Sequence, residues 1–180
     1  MAMRIYLKFF FIFFLMVPAS NANDQLYYKV GLYDYKHDTG GLLFNVKKVT
    51  DNIYNFSSLG EITQIYEFTG IIDKENQFSK GKEIEKREEY AIYLSSGFQK
   101  VINLRNNFSL VPSFSVGLYE SFDEGKDMGF PIEFKSEVEA YFDLSQDRYL
   151  GISWHHISNA DIGDKNPGSD SILFSITTNF

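Results

Sequence analysis

Residues 131–144 read Pro-Ile-Glu-Phe-Lys-Ser-Glu-Val-Glu-Ala-Tyr-Phe-Asp-Leu, and the parity of that run decides the fold. The even positions Ile132, Phe134, Val138, Ala140, Phe142 and Leu144 are apolar, with Ser136 the one break. The odd positions Glu133, Lys135, Glu137, Glu139 and Asp143 are charged, with Tyr141 the exception. A period of two marks a β-strand with two unlike faces. The same period recurs outward from this run. Phe108, Leu110, Phe114, Val116 and Leu118 alternate with Ser109, Ser113, Ser115 and Gly117, and Ile172, Phe174 and Ile176 alternate with Ser171, Ser175 and Thr177. No stripe of period 3.6 persists. Eight alternating segments are expected, near 25–36, 41–50, 60–71, 88–103, 106–120, 131–144, 147–158 and 170–180.

Alternation by itself fits two architectures. A soluble sandwich or lipocalin-like barrel turns its apolar face inward, whereas an outer-membrane barrel turns it to lipid and keeps a polar interior. Three features favour the membrane version. The column Glu133, Lys135, Glu137 and Glu139 suits a lumen in which opposite charges pair. Tyr27, Tyr28, Tyr119, Phe142 and Tyr149 lie near segment ends, where interfacial girdles sit. The last alternating segment ends on Phe180, as bacterial outer-membrane barrels do. The expected fold is therefore all-β, an eight-stranded antiparallel transmembrane barrel of a Gram-negative outer membrane.

Composition agrees. The 180 residues suit one domain, and the absence of cysteine removes disulfides, thiol nucleophiles and thiolate metal sites. A net charge of −7 argues against nucleic acid as a partner. Residues 1–22 read as a secretory signal peptide: Arg4 and Lys8, the apolar run Phe9 to Val17, then Pro18 and Ser20-Asn21-Ala22 before a cut near Ala22. The mature barrel is then 23–180, with 25 of the 31 aromatic residues retained and expected mostly on the outside. With both termini periplasmic, the longer connections, including the charged stretch Asp73 to Arg87, fall on the cell surface. That stretch reads as a solvated loop or as a contact for the phosphates or sugars of lipopolysaccharide.

One stretch concentrates catalytic residue types: His155-His156-Ile157-Ser158-Asn159-Ala160, followed by Asp164, Asn166-Pro167-Gly168 and Asp170. Parity puts His156 and Ser158 on the face of Leu150, Ile152 and Trp154. It turns His155 to the other face, so the paired histidines make a poor metal site. Asp170 shares parity with Ile172, Phe174 and Ile176, and hairpin pairing brings it beside the end of the preceding segment. A serine hydroxyl needs a base to take its proton, and an imidazole serves best when a carboxylate fixes its tautomer. Polar groups on a lipid-facing surface are costly unless they pair or function. The bland alternative is a polar rim of interfacial side chains with an ordinary Asn-Pro-Gly turn.

These residues resemble a known family, the lipid A 3-O-deacylases and the broader group of acyloxyacyl hydrolases. Members are eight-stranded barrels with a His-x-Ser-Asn-Ala motif at the top of the penultimate strand, an Asn in the last surface loop and an acid opening the last strand. Here that is His156-Ile157-Ser158-Asn159-Ala160, Asn166 and Asp170, and Gly31-Leu32-Tyr33-Asp34 also matches. The resemblance implies Ser158 as nucleophile, His156 as general base and Asp170 as orienting acid. Asn159, Asn166 and the backbone around Ala160 would shape the site and stabilise the oxyanion. Asp170 departs from the Glu of the best-known members by one methylene. The function implied is hydrolysis of an ester-linked 3-hydroxyacyl chain of lipid A with no cofactor or metal, by a barrel acting singly or as a homodimer. Two rivals remain: a non-catalytic structural or adhesion barrel, and a phospholipase or acyltransferase using the same nucleophile.

Overall fold

In the computed structural model, residues 24–35, 41–79, 82–105, 107–122, 126–145 and 148–179 are described. The expected signal peptide, the 36–40 connection and Phe180 lie outside them. The strands are β1 (Gln25–Tyr33), β2 (Gly41–Phe56), β3 (Gly60–Ser79), β4 (Lys82–Gln99), β5 (Ile102–Arg105), β6 (Phe108–Phe122), β7 (Ile132–Ser145), β8 (Arg148–Ser158) and β9 (Ser169–Asn179). All neighbours are antiparallel. The sheet closes through β1 on β9 at one seam and β4 on β6 at the other. β5 continues β4 against the same partner: Gln99 faces Ser113 and Ile102 faces Leu110. Between them Lys100 N–H donates to Pro112 O at 3.0 Å, and Pro112, having no N–H, cannot return the bond. The result is a barrel of eight staves, one of them broken opposite Pro112 of its neighbour β6.

Parity sorts the side chains as alternation predicts. Val30, Leu32, Leu42, Phe44, Phe114, Val116, Val138, Leu150, Ile152, Trp154, Phe174 and Ile176 are exposed on the outside. The interior is filled in three tiers. Tyr33, Leu43, Ile71, Ala91, Tyr93, Tyr119, Met128, Ile157 and Leu173 close the end away from the termini. Tyr27, Val49, Ile65, Val111 and Tyr141, with Tyr149 against them, close the other.

The middle tier is ionic. Lys29 Nζ lies 2.5 Å from both Glu137 Oε1 and Glu139 Oε2, and Lys47 Nζ lies 2.9 Å from Glu139 Oε2. Lys135 bridges Glu67 and Glu137. Three ammonium and three carboxylate groups thus balance, every one of these side chains at most 1% exposed. Charges taken out of water persist only when so paired.

Two expectations need correction. The stretch Asp73 to Arg87 is not a loop: β3 runs to Ser79 and β4 starts at Lys82, with Asp73 opposite Glu89 and Ser79 opposite Lys82. Lysine and glutamate are depleted from strands, which made the stretch read as loop. Above Ile72 and Tyr90 the hairpin pairs only with itself among the described residues, and it extends roughly 20 Å beyond the last paired residues of β2 and β6 at about 3.3 Å per residue. Likewise β2, expected to end near residue 50, continues to Phe56, so its connection to β3 is only residues 57–59. The second correction concerns tyrosine. Tyr27 and Tyr119 are each 5% exposed and point into the lumen, not to an interfacial girdle. Phenylalanine coats the barrel, whereas much of the tyrosine fills it, because a phenol can meet the polar interior: Tyr141 donates to Glu139 at 2.7 Å and Tyr93 to the Glu133 carbonyl at 3.1 Å.

Candidate active site

The ladder between β8 and β9 sets His156 directly opposite Asp170 and Trp154 opposite Ile172. His156 and Ser158 follow Trp154 at steps of two along β8, so all three project from one face. His156 Nδ1 lies 3.2 Å from Asp170 Oδ1; an ionised carboxylate only accepts, so this contact favours the tautomer with the proton on Nδ1. That tautomer leaves Nε2 as the basic nitrogen. The imidazole is 40% exposed and the Asp170 side chain 10%, so the ring is open while the carboxylate beside it is covered. Ser158 is half-buried at the last position of β8. His155 faces the lumen, fully buried, its Nδ1 3.7 Å from Glu137 Oε2. The two adjacent histidines are therefore separated by the barrel wall.

The chain turns sharply after Ser158. Ala160 and Asp161 hold positive φ of 54° and 59°, unusual for residues with a Cβ. Asn159 and Asn166 hold this turn. Asn159 is fully buried, and its Nδ2 donates to the Met128 carbonyl at 2.7 Å and the Lys165 carbonyl at 2.8 Å. Its backbone N–H donates to Asn166 Oδ1 at 3.1 Å, and Asn166 Nδ2 donates to Asp161 Oδ1 at 3.0 Å. Both side chains thus bond within the loop between β8 and β9 and its neighbour between β6 and β7, while the buried Asn159 Oδ1 has no hydrogen-bond partner among the described residues. Asp127 and Lys165 join the same two loops at 2.7 Å. That ammonium and the Gly129 N–H hold the Asp127 carboxyl below its usual 3.8.

Parity and hairpin pairing made His156, Ser158 and Asp170 legible, but three neighbours of the pair were not picked out for the site. Gly168, with φ +61°, lies so close to the imidazole that an added Cβ would sit 2.9 Å from His156 Cε1. Asp34 Oδ1 accepts the Asp170 N–H at 3.2 Å, and Lys126 donates to Asp34 Oδ2 and to the Gly168 carbonyl. Asp34 carried only its place in the Gly31–Asp34 match, Gly168 read as a turn residue, and Lys126 carried no signal.

A closed barrel of eight antiparallel staves, apolar outside and ionic within, defines the class: an outer-membrane β-barrel. The chain belongs to the lipid A 3-O-deacylase (PagL) family, whose model matches residues 54–179. Among solved structures, the chain resembles the crystal structure of the outer membrane enzyme PagL at a TM-score of 0.57 and 12% identity, covering 87% of this chain and 99% of that one. It resembles neisserial surface protein A (NspA) at a TM-score of 0.60 and 8% identity, covering 89% and 98%. No curated protein matches the chain by sequence. At such identities the two structures speak for the fold, and the family match speaks for the chemistry.

Proposed function

We propose that this barrel is a serine esterase that removes an ester-linked 3-hydroxyacyl chain from lipid A, working on the lipid-facing rim at the cell surface. One observation carries the reading: the His156 Nδ1–Asp170 Oδ1 contact of 3.2 Å, with Ser158 two residues along the same face of a chain of this family. A site on the outer wall meets the acyl esters of the outer leaflet directly, whereas a soluble substrate is better served by the loops or a lumen. The lumen here is filled. All three groups come from one chain, so the reaction asks for no second copy.

In the reaction Ser158 Oγ attacks the acyl carbonyl while His156 Nε2 takes its proton. Asp170 holds the Nδ1–H and stabilises the imidazolium. The tetrahedral oxyanion needs donors aimed at it. With the Asn159 N–H spent on Asn166, the N–H of Ala160, next along the chain, is the candidate donor, and Asn159 and Asn166 act by holding the turn that carries it. Collapse of the intermediate breaks the ester bond, the sugar oxygen takes the proton from His156, and the acyl group stays on Ser158. A water that gives its proton to His156 then releases the fatty acid. The β3–β4 hairpin, which stands clear of the barrel at the same end as the site, suits contact with the phosphates and sugars of the substrate's neighbours.

Mass spectrometry of lipid A incubated with the purified protein tests the reading. Loss of one hydroxyacyl mass with wild type and intact lipid A with Ser158→Ala are expected. Intact lipid A in both leaves a non-catalytic barrel. A product with acyl mass added to an acceptor makes the protein a transferase.

A further inference from the structure

Lys126 lies in the loop between β6 and β7, and its ammonium joins three loops at once. It donates to Asp34 Oδ2 at the end of β1 and to the Gly168 carbonyl before β9. Asp34 is fully buried, and the Lys126 side chain is 17% exposed. Hydrogen bonds between charged groups in such surroundings are stronger and more directional than those in water. Each partner of Lys126 touches one member of the catalytic pair. Asp34 Oδ1 accepts the Asp170 N–H at 3.2 Å, while Tyr35 N–H donates to the Asp170 carbonyl at 3.1 Å. Both sides of the Asp170 peptide are therefore gripped by the end of β1. Gly168 stands against the His156 ring with no room for a Cβ. The β6–β7 loop has another anchor in buried Met128, whose carbonyl accepts from Asn159 Nδ2 at 2.7 Å, so Lys126 is not its sole tie to the barrel.

We propose that Lys126, acting through Asp34 and Gly168, is a positioning residue that holds the His156–Asp170 pair in its working geometry. This rests on the esterase reading above. Lys126 touches none of the reacting atoms. It sets the backstop behind the imidazole and the peptide that carries the carboxylate. Displacing catalytic groups by 1 Å lowers turnover by up to about a hundredfold.

The test is Lys126→Met, which keeps the length of the stem and removes the donors. Folding is checked by heat-modifiable electrophoretic mobility, kcat and KM are measured on lipid A in mixed micelles, and Ser158 is labelled with a fluorophosphonate. The expected result is a folded barrel with kcat lowered about 10- to 100-fold, KM within about twofold, and labelling slowed in step with kcat. Lys126→Arg, which can donate to both partners, should recover most of the loss. Asp34→Asn should mimic Lys126→Met, and the double variant should be little worse than either single one, since both break one linkage. A kcat within twofold of wild type in Lys126→Met overturns the proposal, as does a change confined to KM or a loss that Lys126→Arg does not recover. If Lys126→Met does not fold, the same measurements on Lys126→Gln and Asp34→Asn decide, and normal turnover in either overturns it. Wild type that neither cleaves lipid A nor labels at Ser158 removes the esterase reading itself. Wild-type cleavage with an unaffected Lys126 variant removes only the positioning role.

Discussion

At the level of single residues, the site is a chain of dependencies on Asp170. Its carboxylate lies 3.2 Å from the His156 ring, its N–H and C=O are both held by the segment after β1, and its side chain is one methylene shorter than glutamate. Replacing it by asparagine keeps the shape but stabilises the wrong imidazole tautomer, so Asp170→Asn should lower kcat by about 10⁴-fold. Asp170→Glu should retain much more activity than Asp170→Asn, because the carboxylate is preserved; equal turnover of the two variants on lipid A would show that charge at 170 is irrelevant. Gly168 makes a sharper case. Its φ of +61° and its contact with the ring both exclude a side chain. Gly168→Ala should cost about 1–2 kcal/mol in the left-handed conformation. It should also lower kcat by pushing the imidazole off Asp170, readable as lost turnover in a barrel that still folds.

Among elements, β7 is the one on which the barrel's interior depends. Its inward residues Lys135, Glu137 and Glu139 carry half of the balanced ionic tier, facing Lys29 on β1, Lys47 on β2 and Glu67 on β3. Removing one partner leaves a surplus buried charge. Lys47→Met should therefore destabilise the barrel by about 3–5 kcal/mol, measured by urea unfolding in detergent or lipid. Replacing Lys47 and Glu139 together by apolar residues of similar size should cost less than the sum of the singles, which a double-mutant cycle reads directly. The loops follow the opposite rule. Asp127 and Lys165 are exposed, so their link is weak and screened by salt. Because the Asp127 pKa is lowered on folding, whatever the link adds is present above the unfolded value of 3.8 and is lost as the pH falls through the lowered one.

For the whole molecule, the filled lumen and the apolar coat make separate predictions. With both ends closed by tyrosine and aliphatic clusters and the middle by ion pairs, the protein should show no steady ion conductance in planar bilayers. An open-channel current would contradict the packing. On the outside, Ile152 and Phe174 face each other across β8 and β9 and are both well exposed. Ile152→Arg, near the middle of β8, should cost about 2–4 kcal/mol. Folding yields in lipid vesicles compared with those in a short-chain detergent would read that cost.

Residues 131–144 and their repeats were enough for an all-β fold, because a two-residue period marks a sheet with unlike faces; turning the apolar face to lipid took the charged column Glu133–Glu139 and the aromatic and C-terminal signals as well. They also placed His156, Ser158 and Asp170 on one face, since parity and hairpin pairing are local rules that a sequence states directly. Other features needed the closed barrel. That Tyr27 and Tyr119 fill the lumen depends on which side each strand turns inward, and chemical type misled there because tyrosine suits either place. That residues 73–79 and 82–87 are strand depends on pairing between two polar segments with no apolar face to announce it. Lys126 is legible only in three dimensions. Its partner Asp34 is 92 positions away, and no local pattern encodes a contact between loops that barrel closure alone brings together.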